Sequence, residues 1–471
     1  MGENIHKDHF EAQDYRLFQQ KLEQEMAFVR ELFAERRFDD TTRKLGYELE
    51  LCLLDGSGAP APCNQQVLEK ADNPLLTQEL ARFNLEINGQ AFAIHSGVMA
   101  DIQNNLGKLY HQVEQAAASV HTQVGLFGVL PSLRLQHLQK EYFMSDTLRY
   151  RQLSRRVMEM RGRPVKLEIQ GVDNLQLEKQ DVMLEALGTS LQVHYQVPYS
   201  ETVDSYHAAL WASMAMLAVS ANSPLVLQKS GWQESRITIF KQAVDSRSRR
   251  EMRDKIVPRV HLSKGYIHSW LELFEDNAYY SPILPEVTDS GIDRLHHFNL
   301  HNGTIWRWVR PILGVDEGGY HLRLELRVVP AGPTLLDTVA NLVFYIGLTE
   351  GLKSNAECLT RVPYAVLERD FYTVARQGLP AHVNWCNGRV DSMQNLLLTE
   401  LIGVAYEGLE RLAIENPQQW LNIIEQRVQT GRTAAQWITD YWQKTADDKA
   451  LVLAYLSHAR QNIPVHLWPK P

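Results

Sequence analysis

The stretch "KLGYELELCLLD", Lys44–Asp55, decides the fold of this chain because it describes a strand with two different faces. Apolar side chains stand at positions 45, 47, 49, 51 and 53, and Glu48 and Glu50 alternate with them. Since strand side chains repeat every second residue, the two carboxylates share one face. Glutamate is depleted in strands, so this pair calls for a cause other than strand formation.

Three more stretches repeat the pattern of one apolar face and one polar face. They are Phe83–Asn88, "SLQVHYQV" at 190–197 and "LRLELRVV" at 322–329. The polar faces carry Asn84, Glu86 and Asn88 in the first stretch, Gln192, His194 and Gln196 in the second, and Arg323, Glu325 and Arg327 in the third.

Two interpretations fit these faces. An antiparallel sheet with one solvated side would show such alternation, although an ordinary wet face would be rich in Thr, Ser and Lys. If the strands instead share one sheet, carboxylates on neighbouring strands lie ~5 Å apart and repel unless a cation lies between them. Mg²⁺ or Mn²⁺ takes such oxygen ligands and keeps positions open for phosphates. We therefore predict a metal site formed by Glu48, Glu50, Glu86, His194 and Glu325.

Composition narrows the class of protein. The chain has 471 residues, with 44% hydrophobic and 22% charged content, as in ordinary globular proteins. A formal net charge of −8 argues against a nucleic-acid binder, which needs clustered Lys and Arg. Four scattered cysteines suggest a reducing cytoplasm. The sequence contains no apolar run of about 18 residues, so we expect no membrane span.

The order of elements predicts an α+β fold. The elements are helices over 5–38, 98–124, 140–161, 205–221, 335–352 and 396–414, and strands over 44–55, 84–88, 125–133, 163–172, 189–198, 303–313 and 321–329. Mixed strands and helices followed by an all-helical tail favour antiparallel pairing. We divide the chain into an N-terminal helical extension (1–40), a catalytic domain (41–345) and a helical C-terminal region packed on it (346–471).

Other motifs are weak. The sequence contains no GxxxxGK, HExxH or GxSxG motif, and the glycines of "DGSGAPA" do not complete a dinucleotide fingerprint. His296, His297 and His301 fit no standard metal spacing, so we interpret them as loop or core histidines. The basic run 246–255 is typical of a solvated helix face, with Arg247 as a possible exception.

The order of motifs resembles the bacterial glutamate–cysteine ligase family of type 2, the carboxylate–amine ligases. "GYELELCLLD" resembles its opening G-x-E-x-E strand, "LEIN" its next glutamate strand, and "LQVHYQVP" its H-V-H strand. "LAVSANSPLVLQKSGWQESRI" is similar to its helix and substrate loop, "NGTIWRWVRPIL" and "LRLELRVVP" to its W-x-x-R-P and E-x-R strands, and "DFYTVARQGLPA" to a C-terminal segment. The resemblance covers about residues 40–385.

The resemblance implies a glutamine-synthetase-like fold, in which an antiparallel sheet carries a metal–ATP face. It also implies residue roles at matching positions. The predicted metal carboxylates and His194 would hold divalent ions, Arg327 and Arg310 would serve catalysis at the transferring phosphate, Arg236 would clamp a carboxylate or phosphate with help from Arg247, and Asn222, Ser223 and Gln192 would meet the substrate.

The sequence departs from the family pattern in three places. Gln192 replaces the first imidazole of the H-V-H strand, and Val329 and Pro330 stand where an aspartate is expected. The chain is also about a hundred residues longer than compact family members. These differences leave the acceptor amine and the metal count open.

The resemblance implies an ATP-dependent carboxylate–amine ligase that forms a γ-glutamyl-type amide through an acyl phosphate, with glutamate and cysteine as substrates. Two alternatives stay open: the same chemistry on another amine, amino acid or peptide, and a non-catalytic metal- or ligand-binding scaffold. We expect ATP and Mg²⁺ (or Mn²⁺) as cofactors, small-molecule substrates, no nucleic-acid or membrane partner and a cytoplasmic location. The helices over 5–38 and 396–460 would pack internally or against a second subunit.

Overall fold

The strand predicted at Lys44–Asp55 lies at the centre of the fold. The computed structural model describes residues 5–471, so residues 1–4 of the predicted N-terminal extension lie outside the described part. The strands, numbered along the chain, are β1 (Lys44–Leu54), β2 (Leu76–Gln78), β3 (Asn84–Asn88), β4 (Phe92–Ala93), β5 (Gln123–Gly125), β6 (Val165–Gln170), β7 (Asn174–Lys179), β8 (Ser190–Val197), β9 (Leu225–Val226), β10 (Lys229–Ser230), β11 (Val309–Asp316), β12 (Gly319–Pro330), β13 (His382–Asn384) and β14 (Val390–Ser392).

Helices surround the strands. The α-helices are α1 (Ala12–Ala34), α2 (Asn64–Ala71), α3 (Val98–Ser119), α4 (Lys140–Phe143), α5 (Leu148–Arg161), α6 (Thr202–Ser220), α7 (Arg236–Ala243), α8 (Arg249–Arg253), α9 (Trp270–Glu275), α10 (His296–Asn302), α11 (Leu335–Leu352), α12 (Tyr364–Gln377), α13 (Met393–Leu396), α14 (Ile402–Arg411), α15 (Gln418–Thr430), α16 (Ala434–Thr445) and α17 (Asp448–Ala459). A π-helical segment, Leu397–Leu401, joins α13 to α14.

One sheet of eight strands organises the molecule. Its order is β11-β12-β8-β1-β3-β2, all antiparallel, and β4 and β5 also pair with β1. The apolar residues of β1 at 45, 47, 49, 51 and 53 are at most 1% exposed. Helices α6 and α11 are buried around almost their whole circumference; α6 packs on β12 and on α11. The predicted α+β fold with an antiparallel sheet is confirmed.

Several predicted bounds were wrong, for local reasons. Helix α3 ends at Ser119, since His121 takes a positive φ of 59° and the chain turns into β5. Residues after Gly125 run irregularly to Leu133 instead of forming a strand. The helix predicted over 140–161 breaks before Thr147, whose side chain caps α5 by accepting from the amide of Tyr150. The strand predicted from 303 begins at Val309.

The strand predicted over 163–172 belongs elsewhere. As β6 it pairs with β7 in a separate hairpin, outside the eight-stranded sheet. The segment that follows it supplies that second strand.

The helices at both ends of the chain pack on the sheet-bearing part. Glu25 of α1 lies 2.6 Å from His297 of α10 and accepts from the amide of Phe298. His297 and His301 are buried, which confirms their interpretation as core histidines. The predicted boundary at 345 falls within α11, and the three-part division stays a prediction.

Helix α11 is also the one membrane-span candidate among the described residues. The segment Leu335–Cys358 is long and apolar enough, but 89% of its most apolar window is buried inside the protein. Such burial is typical of a core helix.

Candidate active site

Strand pairing brings the predicted metal ligands onto one face. The register sets Glu50 opposite Glu86, Glu48 opposite Gln192, and His194 opposite Glu325. Residues directly opposite each other in an antiparallel pair share a face, with Cβ atoms roughly 5 Å apart. The separate strand patterns therefore combine into one polar surface.

That surface holds two groups of ligand atoms rather than one. The first cluster is Glu48, His194 and Glu325, and the second cluster is Glu50, Glu79 and Glu86; in each, one ligand atom per residue lies within 4.8 Å of the others. The five predicted ligands thus divide between two clusters, and Glu79 is a sixth that sequence reasoning missed. Glu79 follows β2 two positions after Thr77, which pairs with Glu86, so extending the alternation past β2 would have found it.

The first cluster is anchored by arginines. Arg310 Nε and Nη2 lie 2.6 and 2.5 Å from Glu325 Oε2, and Arg327 contacts the other oxygen of Glu325. Burial works to raise the pKa of Glu325, but the two guanidinium groups outweigh it and hold that pKa at about 2. Glu325 is therefore an anion at every physiological pH.

His194 is poised as a ligand in the same cluster. Its Nε2 lies 3.2 Å from Glu48 Oε1, and neither ring nitrogen has a hydrogen-bond partner within the described residues. Buried polar groups are normally hydrogen-bonded, so a ring with two unsatisfied nitrogens beside carboxylates fits a cation.

The second cluster carries uncompensated negative charge. Burial, together with the charges of Glu48 and Glu50, raises the pKa of Glu86 to about 8. Burial and the charges of Glu86 and Glu50 likewise raise the pKa of Glu79 well above its usual range. Glu50 accepts from the amide and hydroxyl of Ser190 at 2.8 and 3.0 Å, and Glu79 accepts from the amide of Leu80 at 3.2 Å and the hydroxyl of Tyr150 at 3.4 Å. The donor set suits a hard divalent ion such as Mg²⁺ or Mn²⁺.

The clusters line a large cleft over the sheet. The cleft has a volume of about 710 Å³ and is lined by Glu185, by Arg310, Arg323, Arg327 and Gln192, and by every member of the two clusters except Glu325. An adjoining cavity of about 300 Å³ reaches the turn between β11 and β12 and is bordered by Lys44, Arg323 and His321.

Arg323 is a second residue without a predicted role. Its Nη1 lies 3.3 Å from His321 Nε2, and in the described part of the chain no carboxylate forms an ion pair with it. Burial and the Arg323 charge lower the pKa of His321 to about 4, so the imidazole is neutral. Arg323 therefore presents an unneutralised positive charge where the two cavities meet.

Arg236, Arg327 and Gln192 form the wall at the opposite end. Arg327 contacts Gln192 Oε1 as well as Glu325. A register shift between Leu326 and Val329 turns this part of β12 out of the regular ladder. Arg236 donates to the carbonyl groups of Arg327 and Val328 and to Glu234. The first two hydrogen bonds fix the backbone of β12 where its register shifts.

Three predicted residues are not brought to the cleft. Asn222 and Ser223 are fully buried; Asn222 Nδ2 donates to Ala331 O at 2.8 Å and to Tyr455 Oη at 2.9 Å, and Ser223 Oγ accepts from the amide of Arg236. Arg247 is paired with Asp245 and donates to Ile256 O. The contacts of all three hold the loop and helix that position Arg236 or the neighbouring backbone.

The strands thus place two carboxylate clusters and a set of arginines on one polar face of an antiparallel sheet. The chain belongs to the glutamate-cysteine ligase family 2, whose sequence pattern matches residues 44–455. The resemblance inferred from the strand motifs is confirmed. Family and fold together class the chain with ATP-dependent carboxylate–amine ligases.

A solved structure of a glutamate–cysteine ligase has the same fold. A glutamate–cysteine ligase from Francisella tularensis, crystallised with AMP, is 12% identical with a TM-score of 0.55, covering 92% of this chain and 91% of that one. A bifunctional glutathione synthetase from Pasteurella multocida is 11% identical with a TM-score of 0.46, covering 89% and 53%. Among curated protein sequences, no significant match is found.

Proposed function

We propose that this protein is an ATP-dependent ligase that joins a carboxylate to an amine, with glutamate and cysteine as the first substrates to test. The observation that carries the proposal is the pairing of two carboxylate clusters with arginines on one face of a sheet in a chain of this family. Such a face suits a metal-bound triphosphate.

The chemistry has two steps. A carboxylate oxygen attacks the γ-phosphorus of ATP, the bond to the β,γ-bridging oxygen breaks, and ADP leaves an acyl phosphate. The amine, once it has lost the proton of its ammonium form, attacks the carbonyl carbon through nitrogen. Inorganic phosphate leaves with the electron pair of its bond to carbon, and the nitrogen loses one further proton to give the amide N–H. Phosphorylation is needed because a bare carboxylate is a poor electrophile.

The residues divide this work by position. The two clusters would hold divalent ions, which when bound neutralise the negative charge of the triphosphate. Arg323, which lines both cavities, and Lys44, which lines the smaller one, would contact phosphate oxygens. Arg327 and Arg310 would hold the transferring phosphate, since a planar guanidinium bridges two oxygens. Each arginine is already oriented, so little entropy is lost when substrate binds.

One observation favours another amine over cysteine. The carbonyl oxygen of Gln192, at the position of the missing imidazole, is occupied by Arg327 rather than directed at a ligand. The end of the cleft where the amine would enter therefore differs from the family pattern. Cytoplasmic location, Mg²⁺ as the ion, the absence of nucleic-acid or membrane partners and a homo-oligomeric state remain predictions.

A panel of amines tests the function. Phosphate release from ATP would be measured with Mg²⁺, glutamate and each proteinogenic amino acid in turn, with Glu48→Gln as the inactive control. Release that depends on glutamate plus cysteine supports the parent activity, and release with another amine alone supports the alternative. No ATP turnover and no heat on titration with Mg²⁺–ATP would identify a non-catalytic scaffold and refute the proposal.

A further inference from the structure

A small pocket opens off the cleft beside Arg327. It lies between the start of β8, helix α7 and Trp308, the residue before β11. Two acidic residues, two arginines and two aromatic rings line it: Glu50, Glu185, Arg236, Arg327, Phe240 and Trp308.

Glu185 has a fixed backbone in this pocket. It begins the short 3₁₀ turn Glu185–Leu187, its amide donates to Val182 O at 2.9 Å, and its carbonyl accepts from Gly188 at 3.1 Å. Gly188 packs so closely on Arg236 that a Cβ there would lie 2.6 Å from Arg236 Cγ. The turn is thus held against the wall of the pocket, and the backbone position of Glu185 is set before any ligand arrives.

The Glu185 carboxylate has no partner of its own. Among residues 5–471 it takes part in no hydrogen bond or ion pair, whereas Glu50 and Glu325 each have donors. Burial and the charge of Glu50 raise the pKa of Glu185 to about 8, against the opposing effect of Arg327. A carboxylate enclosed in this way is costly unless a cation or donor joins it.

We propose that Glu185 binds the ammonium group of the incoming amine and makes the site selective for cationic amines over neutral nucleophiles. The inference rests on the proposed ligase function and adds a residue and a charge requirement to it. The position is suitable, because the amine must approach the acyl carbon beside Arg327, and Glu185 lines both the pocket and the cleft there.

The test compares a cationic amine with hydroxylamine, which is uncharged at neutral pH and captures acyl phosphates as hydroxamates. Wild type, Glu185→Gln, Glu185→Asp and the control Glu178→Gln, an exposed carboxylate on β7, would each be assayed with Mg²⁺–ATP and glutamate. The amine is the amino acid that wild type turns over fastest. We expect Glu185→Gln to raise KM for that amine at least ~10-fold, as loss of a hydrogen bond to a charged group implies. The ratio of kcat/KM for the amine to that for hydroxylamine falls by the same factor, and Glu185→Asp recovers part of it.

The possible outcomes are distinct. An unchanged KM for the amine, or an equal fall with amine and hydroxylamine, overturns the role of Glu185, because the residue then serves folding or carboxylate activation. A wild-type protein that forms neither hydroxamate nor amide overturns the proposed function instead. Glu178→Gln should leave both rates unchanged.

Discussion

Replacing Glu79 by glutamine tests the second cluster most directly. The change should raise the stability of the metal-free protein and lower its affinity for a divalent metal ion. In the metal-free protein three carboxylates approach one another within 4.8 Å. At an effective dielectric constant near 20, two full charges at that distance repel by about 3 kcal/mol. Protonation relieves part of this, as the raised pKa values of Glu79 and Glu86 indicate. We therefore expect Glu79→Gln to stabilise the metal-free protein by about 1–3 kcal/mol.

The same substitution should weaken metal binding. An amide oxygen carries no net charge, so the cation loses one of its three anionic ligands. We expect the affinity of the second cluster for Mn²⁺ to fall at least ~10-fold, the smaller loss seen when even an indirect support of a metal site is removed. The first cluster keeps its ligands, so the number of tight sites should fall from two to one.

Two assays measure the two effects. Thermal melting in EDTA reports the metal-free stability, and isothermal titration with MnCl₂ reports affinity and site number. Glu69→Gln, an exposed carboxylate on α2, is the matched control and should behave as wild type. A variant that melts lower in EDTA, or that keeps two tight Mn²⁺ sites, would refute the reasoning.

Three further predictions concern buried charges, two in the carboxylate clusters and one in the helical part of the chain. Glu48→Gln should keep its fold but lose at least ~100-fold in ATP turnover, since transition-state charge stabilisation of that size is typical of such sites; near-normal phosphate release would contradict a metal role for Glu48. The metal-free protein should lose stability as pH rises from about 5 to 8. The pKa of Glu86 is about 8 in the folded chain against an ordinary 4.5, so over this range the folded state holds a proton that the unfolded state releases. Melting temperatures in EDTA that stay flat or rise over this range would contradict the prediction. Asp337→Asn should destabilise the protein by about 3–5 kcal/mol in urea unfolding, because Arg427 lies 2.7 Å from Asp337 and would keep a buried charge; an unchanged unfolding midpoint would show that the pair is not needed.

The two-residue alternation of the strands was enough to predict which side chains share a face. It was not enough to predict which of those side chains come together, because that depends on how the strands pair. Alternation alone placed Glu48 and Glu50 on one face and grouped them with Glu86, His194 and Glu325. It could not divide the set in two, because that depends on β8 pairing with β1 on one side and β12 on the other.

Two of the missed residues lie outside the regular strands, and the third, Arg323, lies within β12. Glu79 lies just past β2, and Glu185 lies in a 3₁₀ turn, where no period connects a side chain to the sheet. The opposite error affected Asn222 and Ser223, whose motif was recognised although their side chains face the interior. The motif identifies the loop that carries these two residues, but only the structure shows that their side chains contact the protein interior.

The contacts of Tyr455 have a consequence for biosynthesis. Its hydroxyl donates to Leu126 O, 329 residues earlier in the chain, and accepts from Asn222 Nδ2, 233 residues earlier, next to the loop that carries Arg236. Contacts of such long sequence separation form late, since the intervening chain must be ordered first. During synthesis from the N-terminus, all strands of the sheet can leave the ribosome before α17 does. The contacts of Tyr455 that support the loop before Arg236 form only after α17 has been made. The arginine wall of the cleft is thus finished only after nearly the whole chain has been synthesised.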